Sequence, residues 1–247
     1  MVAIRQSVLL LGATGATGSR VLTELLSSSH FTKVGEYGRR TTAADRIAAG
    51  KDKLEQKTID YENLGDLSGG KWDVVMITLG TTRKAAGSAE AFEKIDREYV
   101  INAARAAKSK DPNHKQRLIY LSSSGANANS SFLYLKSKGL TELGLAGLGY
   151  DETIVFRPAY LKGERETRKI ALIPGMILES AIGAASYLSN SLQIEMSELA
   201  KSMTLAAQLG TARLPPAAGA CKEGGTNPFT ILGNAGAMAL AKMTQKA

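Results

Sequence analysis

Short apolar runs recur along the first two thirds of the 247-residue chain, separated by longer stretches in which apolar and polar positions alternate with helical spacing. The runs are "SVLLL" (residues 7–11), "KVGEY" (33–37), "LEQKTI" (54–59), "DVVMITL" (73–79), "RLIYLS" (117–122) and "TIVFR" (153–157). All have strand length, and most are rich in β-branched or aromatic residues, which favours extended chain. The intervening segments 16–28, 43–49, 89–108 and 133–145 place apolar residues three and four apart, the signature of a helix with one buried face. Strands alternating with helices at this spacing predict βαβ units and a parallel sheet covered on both sides.

Beyond Pro158 the pattern loosens. Helices are expected at 176–188 and 195–208, then a strand at "PFTIL", then an alanine-rich tail from Asn234. The predicted fold class is α/β, a Rossmann-type doubly wound parallel sheet with a small irregular C-terminal portion. No linker or composition shift breaks the chain, so one domain over residues 1–247 is expected, with residues 1–160 as its regular core.

Composition adds little against this frame: 44% hydrophobic and 22% charged residues suit a soluble globular protein. The formal charge of +8 favours phosphate-bearing ligands, polyanions or acidic membrane surfaces. No basic run is interleaved with aromatics, which argues against nucleic acid as a partner. The single cysteine, Cys221, excludes an intrachain disulfide and leaves no cysteine cluster for zinc, so a reducing compartment is expected. His30 and His114 stand alone among polar neighbours and read as surface histidines. The strand pattern begins by Ser7, which predicts no secretory or long mitochondrial presequence. The apolar run 171–188 is interrupted by Pro174, Gly175, Glu179 and Gly183. It is too broken to span a membrane and reads as a buried helix, with a lid or a membrane-touching patch as the alternative.

The candidate chemistry starts where the first strand runs into "LLGATGATGSRVLTELL", with Gly12, Gly15 and Gly18 spaced three apart ahead of a helical pattern. Glycines there let the backbone turn tightly and approach a pyrophosphate, which the free N–H groups and positive end of the helix would hold. The spacing departs from the usual G-x-G-x-x-G, but the strand–loop–helix context predicts a dinucleotide site. It makes residues 1–160 the cofactor-binding core and residues 161–247 the substrate portion. At the end of the second strand Arg39 and Arg40 can fork onto a 2′-phosphate, which predicts NADP (NADPH) as the cofactor. Glu36 is the competing signal for NAD, but it lies inside the strand and is read as facing its neighbours. Asp60 reads either as an acceptor for the adenine amino group or as a turn residue. Leu79 and Gly80, ending the fourth strand, would pass under the adenosine.

Tyr134 is followed four residues later by Lys138, after the fifth strand and its loop, so both are expected on one helix face near the cofactor. A phenol titrates at about 10 and moves protons poorly at neutral pH unless a neighbouring charge steadies its anion. An ammonium one helical turn away does so and can also hydrogen-bond the nicotinamide ribose. A serine hydroxyl from Ser122, Ser123 or Ser124 would hold a carbonyl oxygen.

Taken together, "GATGATG", "GRR", "LGTTRKAAGSAEAFEKIDREYV", "LSSSGANANSSFLYLKSKG" and "VFRPAYLKGERETRK" resemble the atypical short-chain dehydrogenase/reductases. Within them the chain is most similar to the branch of the fungal found-in-mitochondrial-proteome proteins and the human Tat-interacting oxidoreductase. The resemblance implies Tyr134 as general acid/base with Lys138 as its partner. It implies Gly12, Thr14, Gly15, Ala16 and Thr17 in the phosphate loop, Arg39 and Arg40 on the 2′-phosphate, and Leu161 near the carboxamide end of the cofactor. Lys169, or Arg168 beside it, stands where a relative has a cofactor-side arginine. Ser123 is favoured as the shared serine, while Ser124 would match the nucleotide-sugar epimerases. "RPA" at 157–159 replaces the more usual R-P-G. The function implied is reduction of a small-molecule carbonyl substrate, with an NADPH-binding regulatory or scaffold role as the alternative. The location implied is cytoplasmic, or peripheral on the cytosolic face of the mitochondrial outer membrane.

Overall fold

A computed structural model describes residues 5–65, 67–163 and 193–244. Each of the six apolar runs forms a strand: β1 (Gln6–Leu11), β2 (Phe31–Gly38), β3 (Leu54–Thr58), β4 (Val74–Ile77), β5 (Arg117–Leu121) and β6 (Glu152–Arg157). Two short strands, β7 (Tyr160–Lys162) and β8 (Gln193–Glu195), pair in a separate parallel ribbon. The main sheet has eight strands, completed by β9 (Cys221–Glu223) and β10 (Phe229–Gly233), in the order β3-β2-β1-β4-β5-β6-β10-β9. All neighbours are parallel except β9, which runs antiparallel to β10 at the edge. This is a Rossmann-like sheet whose strand order reverses between β1 and β4, the place where such sheets open a crevice for ligands.

Successive side chains of a strand point to opposite faces, so a strand buried on both sides reads as an unbroken apolar run. Val8 and Leu10 of β1 pack with Met76, Ile119 and Phe156 under α1 (Ala16–Ser27), α6 (Met196–Leu209) and α7 (Asn234–Thr244). Leu9 and Leu11 face the other way, with Val75, Ile77 and Leu118, under α4 (Tyr99–Ala107) and α5 (Leu133–Ala146).

Two helix expectations change. Segment 43–49 holds no α-helix, only 3-10 turns at Ala44–Arg46 and, beyond it, Lys51–Lys53. Ile47 is the sole buried side chain of that segment, and one anchor gives too little packing to offset helix nucleation. The helix expected at 89–108 is divided into α3 (Ala89–Glu93), a π-helical turn (Lys94–Glu98) and α4, with a further short helix, α2 (Arg83–Ala86), ahead of it. Residues 176–188, and Arg168 and Lys169, lie outside the described residues.

Register sets the site. Leu11 lies opposite Tyr37 and Ile77, Ile77 opposite Tyr120, and Leu121 opposite Phe156. These strands therefore end level, and the loops starting at Gly12, Gly38, Thr78 and Ser122 leave from one edge of the sheet.

Candidate active site

The glycine loop turns at Gly12, whose φ of 95° is left-handed; a Cβ there would lie 2.8 Å from the backbone nitrogen of Leu79. Gly18 lies in the first turn of α1, and a Cβ on it would collide with the carbonyl oxygen of Gly12. Both glycines are thus needed to seat the helix start against the ends of β1 and β4. The Gly15 N–H donates to the Gly12 carbonyl at 3.0 Å, and α1 begins at Ala16 with no side-chain cap and no acid in its first turn. Its orphan N–H groups and dipole suit an anion, so the residues present fit a dinucleotide pyrophosphate. Thr14 and Gly15 are exposed, Ala16 is half-buried and Thr17 is buried beneath them.

Arg39 and Arg40 follow β2, exposed, and neither forms an ion pair among the described residues. Glu36 is 1% exposed and hydrogen-bonded at both carboxylate oxygens. Its carboxylate accepts from the Thr42 N–H (2.8 Å), the Thr42 hydroxyl (2.7 Å) and the Gln56 amide (2.7 Å). Asp60 is a turn residue in geometry: its carboxylate accepts from the Glu62 N–H at 3.0 Å and its carbonyl from the Asn63 N–H at 3.1 Å. Leu161, in β7, pairs with Ile194 and packs partly buried on the α1 side of the sheet.

The fifth-strand loop and α5 are joined closely. Ser122 N–H donates to the Phe156 carbonyl and Ser124 N–H to that of Pro158, both at 2.8 Å, so the serines continue along β6. The Ser123 hydroxyl makes one long bond, 3.4 Å to the Ser124 carbonyl. Further on, the Asn127 N–H donates to the Leu135 carbonyl at 3.0 Å, and a Cβ on Gly139 would collide with the backbone nitrogen of Ala128.

Tyr134 is half-buried on α5, and the Nζ of Lys138 lies 5.9 Å from the centre of its ring. Lys138, 3% exposed, is ligated by the sheet and the π-helical turn: its ammonium donates to the Tyr120 hydroxyl at 3.0 Å and meets the Asp96 carboxylate at 3.1 and 3.3 Å. Burial opposes that charge, but Tyr120, Asp96 and Tyr134 outweigh it and hold the lysine above its usual range. Burial drives the Tyr120 phenol upwards, so Tyr120 meets the ammonium as a neutral hydroxyl. A Cβ on Gly80 would stand 3.5 Å from Asp96 and 3.9 Å from the Lys138 Nζ. Asp96 and Tyr120 are not among the site residues expected from the sequence. A signal for Asp96 exists, however: Phe92, Asp96, Val100, Ala103 and Ala107 are spaced four, four, three and four, which puts an acid on the apolar stripe of a helix.

The fold and the glycine loop define a nicotinamide-dinucleotide-binding protein. A family model described as NAD(P)H-binding matches residues 12–182, and the chain belongs to that family. It is 36% identical to the Scheffersomyces stipitis protein named FMP52-1, mitochondrial, over 74% of this chain and 76% of that one. It is 39% identical to the rat protein HTATIP2, over 65% of each. In fold it is similar to a short-chain dehydrogenase/reductase of Saccharomyces cerevisiae, with a TM-score of 0.63 at 16% identity, covering 93% of this chain and 96% of that one. A UDP-N-acetylglucosamine 4-epimerase of Methanobrevibacter ruminantium gives 0.60 at 18% identity, over 83% and 74%. No helix among the described residues is long and apolar enough to cross a membrane.

Proposed function

We propose that this chain is an NADPH-dependent reductase of small carbonyl compounds with Tyr134 as the proton donor. The observation that carries the reading is the meeting of Tyr134, Lys138 and Gly80 on the sheet edge that also bears the glycine loop and the arginine pair. NADPH, when bound, supplies hydride to the carbonyl carbon. The Tyr134 hydroxyl gives its proton to the carbonyl oxygen, which Ser123 or Ser124 holds by hydrogen bond, and the phenol is reprotonated from solvent. Arg39 and Arg40 select the 2′-phosphate. Glu36, buried and already accepting three hydrogen bonds from Thr42 and Gln56, is not presented to a free ribose hydroxyl.

Tyr134→Phe is expected to lower kcat by about 10²–10⁴-fold while NADPH still binds. Unchanged turnover would remove the proton-transfer role.

One observation favours a second reading, an NADPH-binding regulatory or scaffold protein with slow catalysis: the Lys138 ammonium is already committed to Asp96 and Tyr120. A panel of small aldehydes and ketones followed by NADPH absorbance separates the two, since turnover of any member counts against a purely regulatory role. The mitochondrial names of the fungal relatives and the +8 charge support peripheral attachment to the cytosolic face of the outer mitochondrial membrane. A carbonate wash of mitochondria should then release the protein, and retention in the membrane fraction would refute peripheral attachment.

A further inference from the structure

We infer that Glu36 is a positioning residue for NADPH selectivity, clasping the arginine loop from beneath. Resting on the NADPH reading above, it reverses what an acid in the second strand ordinarily signals. The chain leaves β2 at Gly38, where a Cβ would come within 3.2 Å of the Arg40 carbonyl, so it doubles back at once. Four residues later it is fastened: Thr42 donates its N–H and its hydroxyl to one carboxylate oxygen of Glu36. The Gln56 amide, on β3, donates both to the other carboxylate oxygen and to the Thr42 carbonyl, each at 2.7 Å. The loop carrying Arg39 and Arg40 is therefore pinned at both ends, by strand pairing at Gly38 and by the carboxylate clasp at Thr42. Between them the arginines are exposed and make no ion pair among the described residues. Between Gly38 and Thr42 the loop has no helix and no buried side chain, so little else holds it in place. An arginine fork binds a phosphate well only when its backbone is already fixed, because ordering a loose loop on binding is subtracted from the affinity.

The clasp needs an acceptor with no hydrogen of its own. In Glu36→Gln the new amide hydrogens would face the Gln56 amide, donor against donor. Thr42→Val keeps shape and removes one bond, whereas Thr42→Ser keeps both. Dissociation constants for NADPH and NADH, measured by fluorescence titration, test the inference. Glu36→Gln and Thr42→Val are expected to weaken NADPH by about five- to tenfold and leave NADH within about twofold, with Thr42→Ser like the parent. Equal weakening of both cofactors would mean a merely structural role and overturn the inference, as would unchanged NADPH binding in both variants. Arg39→Ala combined with Arg40→Ala separates it from the reading it rests on. If that variant loses NADPH selectively while Glu36→Gln and Thr42→Val do not, the clasp alone is wrong. If it binds NADPH like the parent, the NADPH assignment falls and the clasp with it.

Discussion

At the residue scale the strongest constraint is the pair Asp96 and Lys138, both almost wholly buried. Attraction between two buried charges roughly balances their desolvation, but removing one partner strands the other. Asp96→Asn is therefore expected to cost about 3 kcal/mol in urea unfolding, whereas Asp96→Leu with Lys138→Met should regain most of it. A double variant no more stable than Asp96→Asn would refute this. His30 makes a pH prediction of definite sign. Burial, with the fields of Arg213 and Arg117, holds its pKa below the ordinary imidazole value. As pH falls through about 6.5 the unfolded chain takes up the proton first, so stability declines on acidification. His30→Gln should flatten the urea midpoint between pH 7 and 5, and an unchanged slope would refute it. Tyr134, Lys138 and the arginine pair stood out in the sequence because spacing along the chain reveals them. The partners of Glu36 did not, since Thr42 is 6 residues away and Gln56 is 20 away across a strand pairing.

At the scale of elements, the serine loop and α5 form one unit, and Gly139 is the hinge of its packing. Alanine in a helix interior ordinarily gains about 1 kcal/mol over glycine. Here the added Cβ would run into the backbone of Ala128, which cannot swing aside as a side chain could. Overpacking of this kind costs about 1–3 kcal/mol, so the clash wins. Gly139→Ala should lower the urea midpoint and, in the proposed reductase, reduce turnover while leaving the NADPH dissociation constant nearly unchanged, because the glycine loop and the arginines are elsewhere. A raised midpoint would show that helix propensity prevails. The helix itself was legible as residues 133–145, but nothing in its pattern marked Gly139 as more than a helical residue. The π-helical turn that carries Asp96 was equally hidden, because a one-residue bulge barely disturbs the apolar spacing on either side. The false helix at 43–49 shows the opposite failure: the residues allowed a helix, and tertiary packing gave it one buried side chain to stand on.

For the whole molecule, the strand pattern of the first 160 residues was enough to give the Rossmann-like sheet, because most neighbouring parallel strands lie close in sequence, although only 3-10 turns and no α-helix connect β2 to β3 and β3 to β4. The C-terminal end was harder to read. Strand β10 joins β6 from more than 70 residues away, pairing Thr230 with Ile154, and α6 packs against α1 from the opposite end of the chain. No periodicity reports such distant contacts. Level strand ends have a consequence for stability: in the proposed complex one ligand contacts loops that only the folded sheet aligns, so it binds the native state and not the unfolded chain. Stabilisation then follows RT ln(1 + [L]/Kd), about 2.7 kcal/mol at a hundredfold excess over Kd. For a chain of this size that is about 5–11 °C in Tm. At equal concentration NADPH should raise Tm more than NADH, and the difference should shrink in Arg39→Ala with Arg40→Ala. High salt should shrink it too, since exposed arginines and a phosphate are screened over about 10 Å at 0.1 M and about 3 Å at 1 M. Equal shifts from the two cofactors in the parent protein would refute selection by the 2′-phosphate. A difference that salt leaves untouched would show that some feature other than the exposed arginines makes the selection.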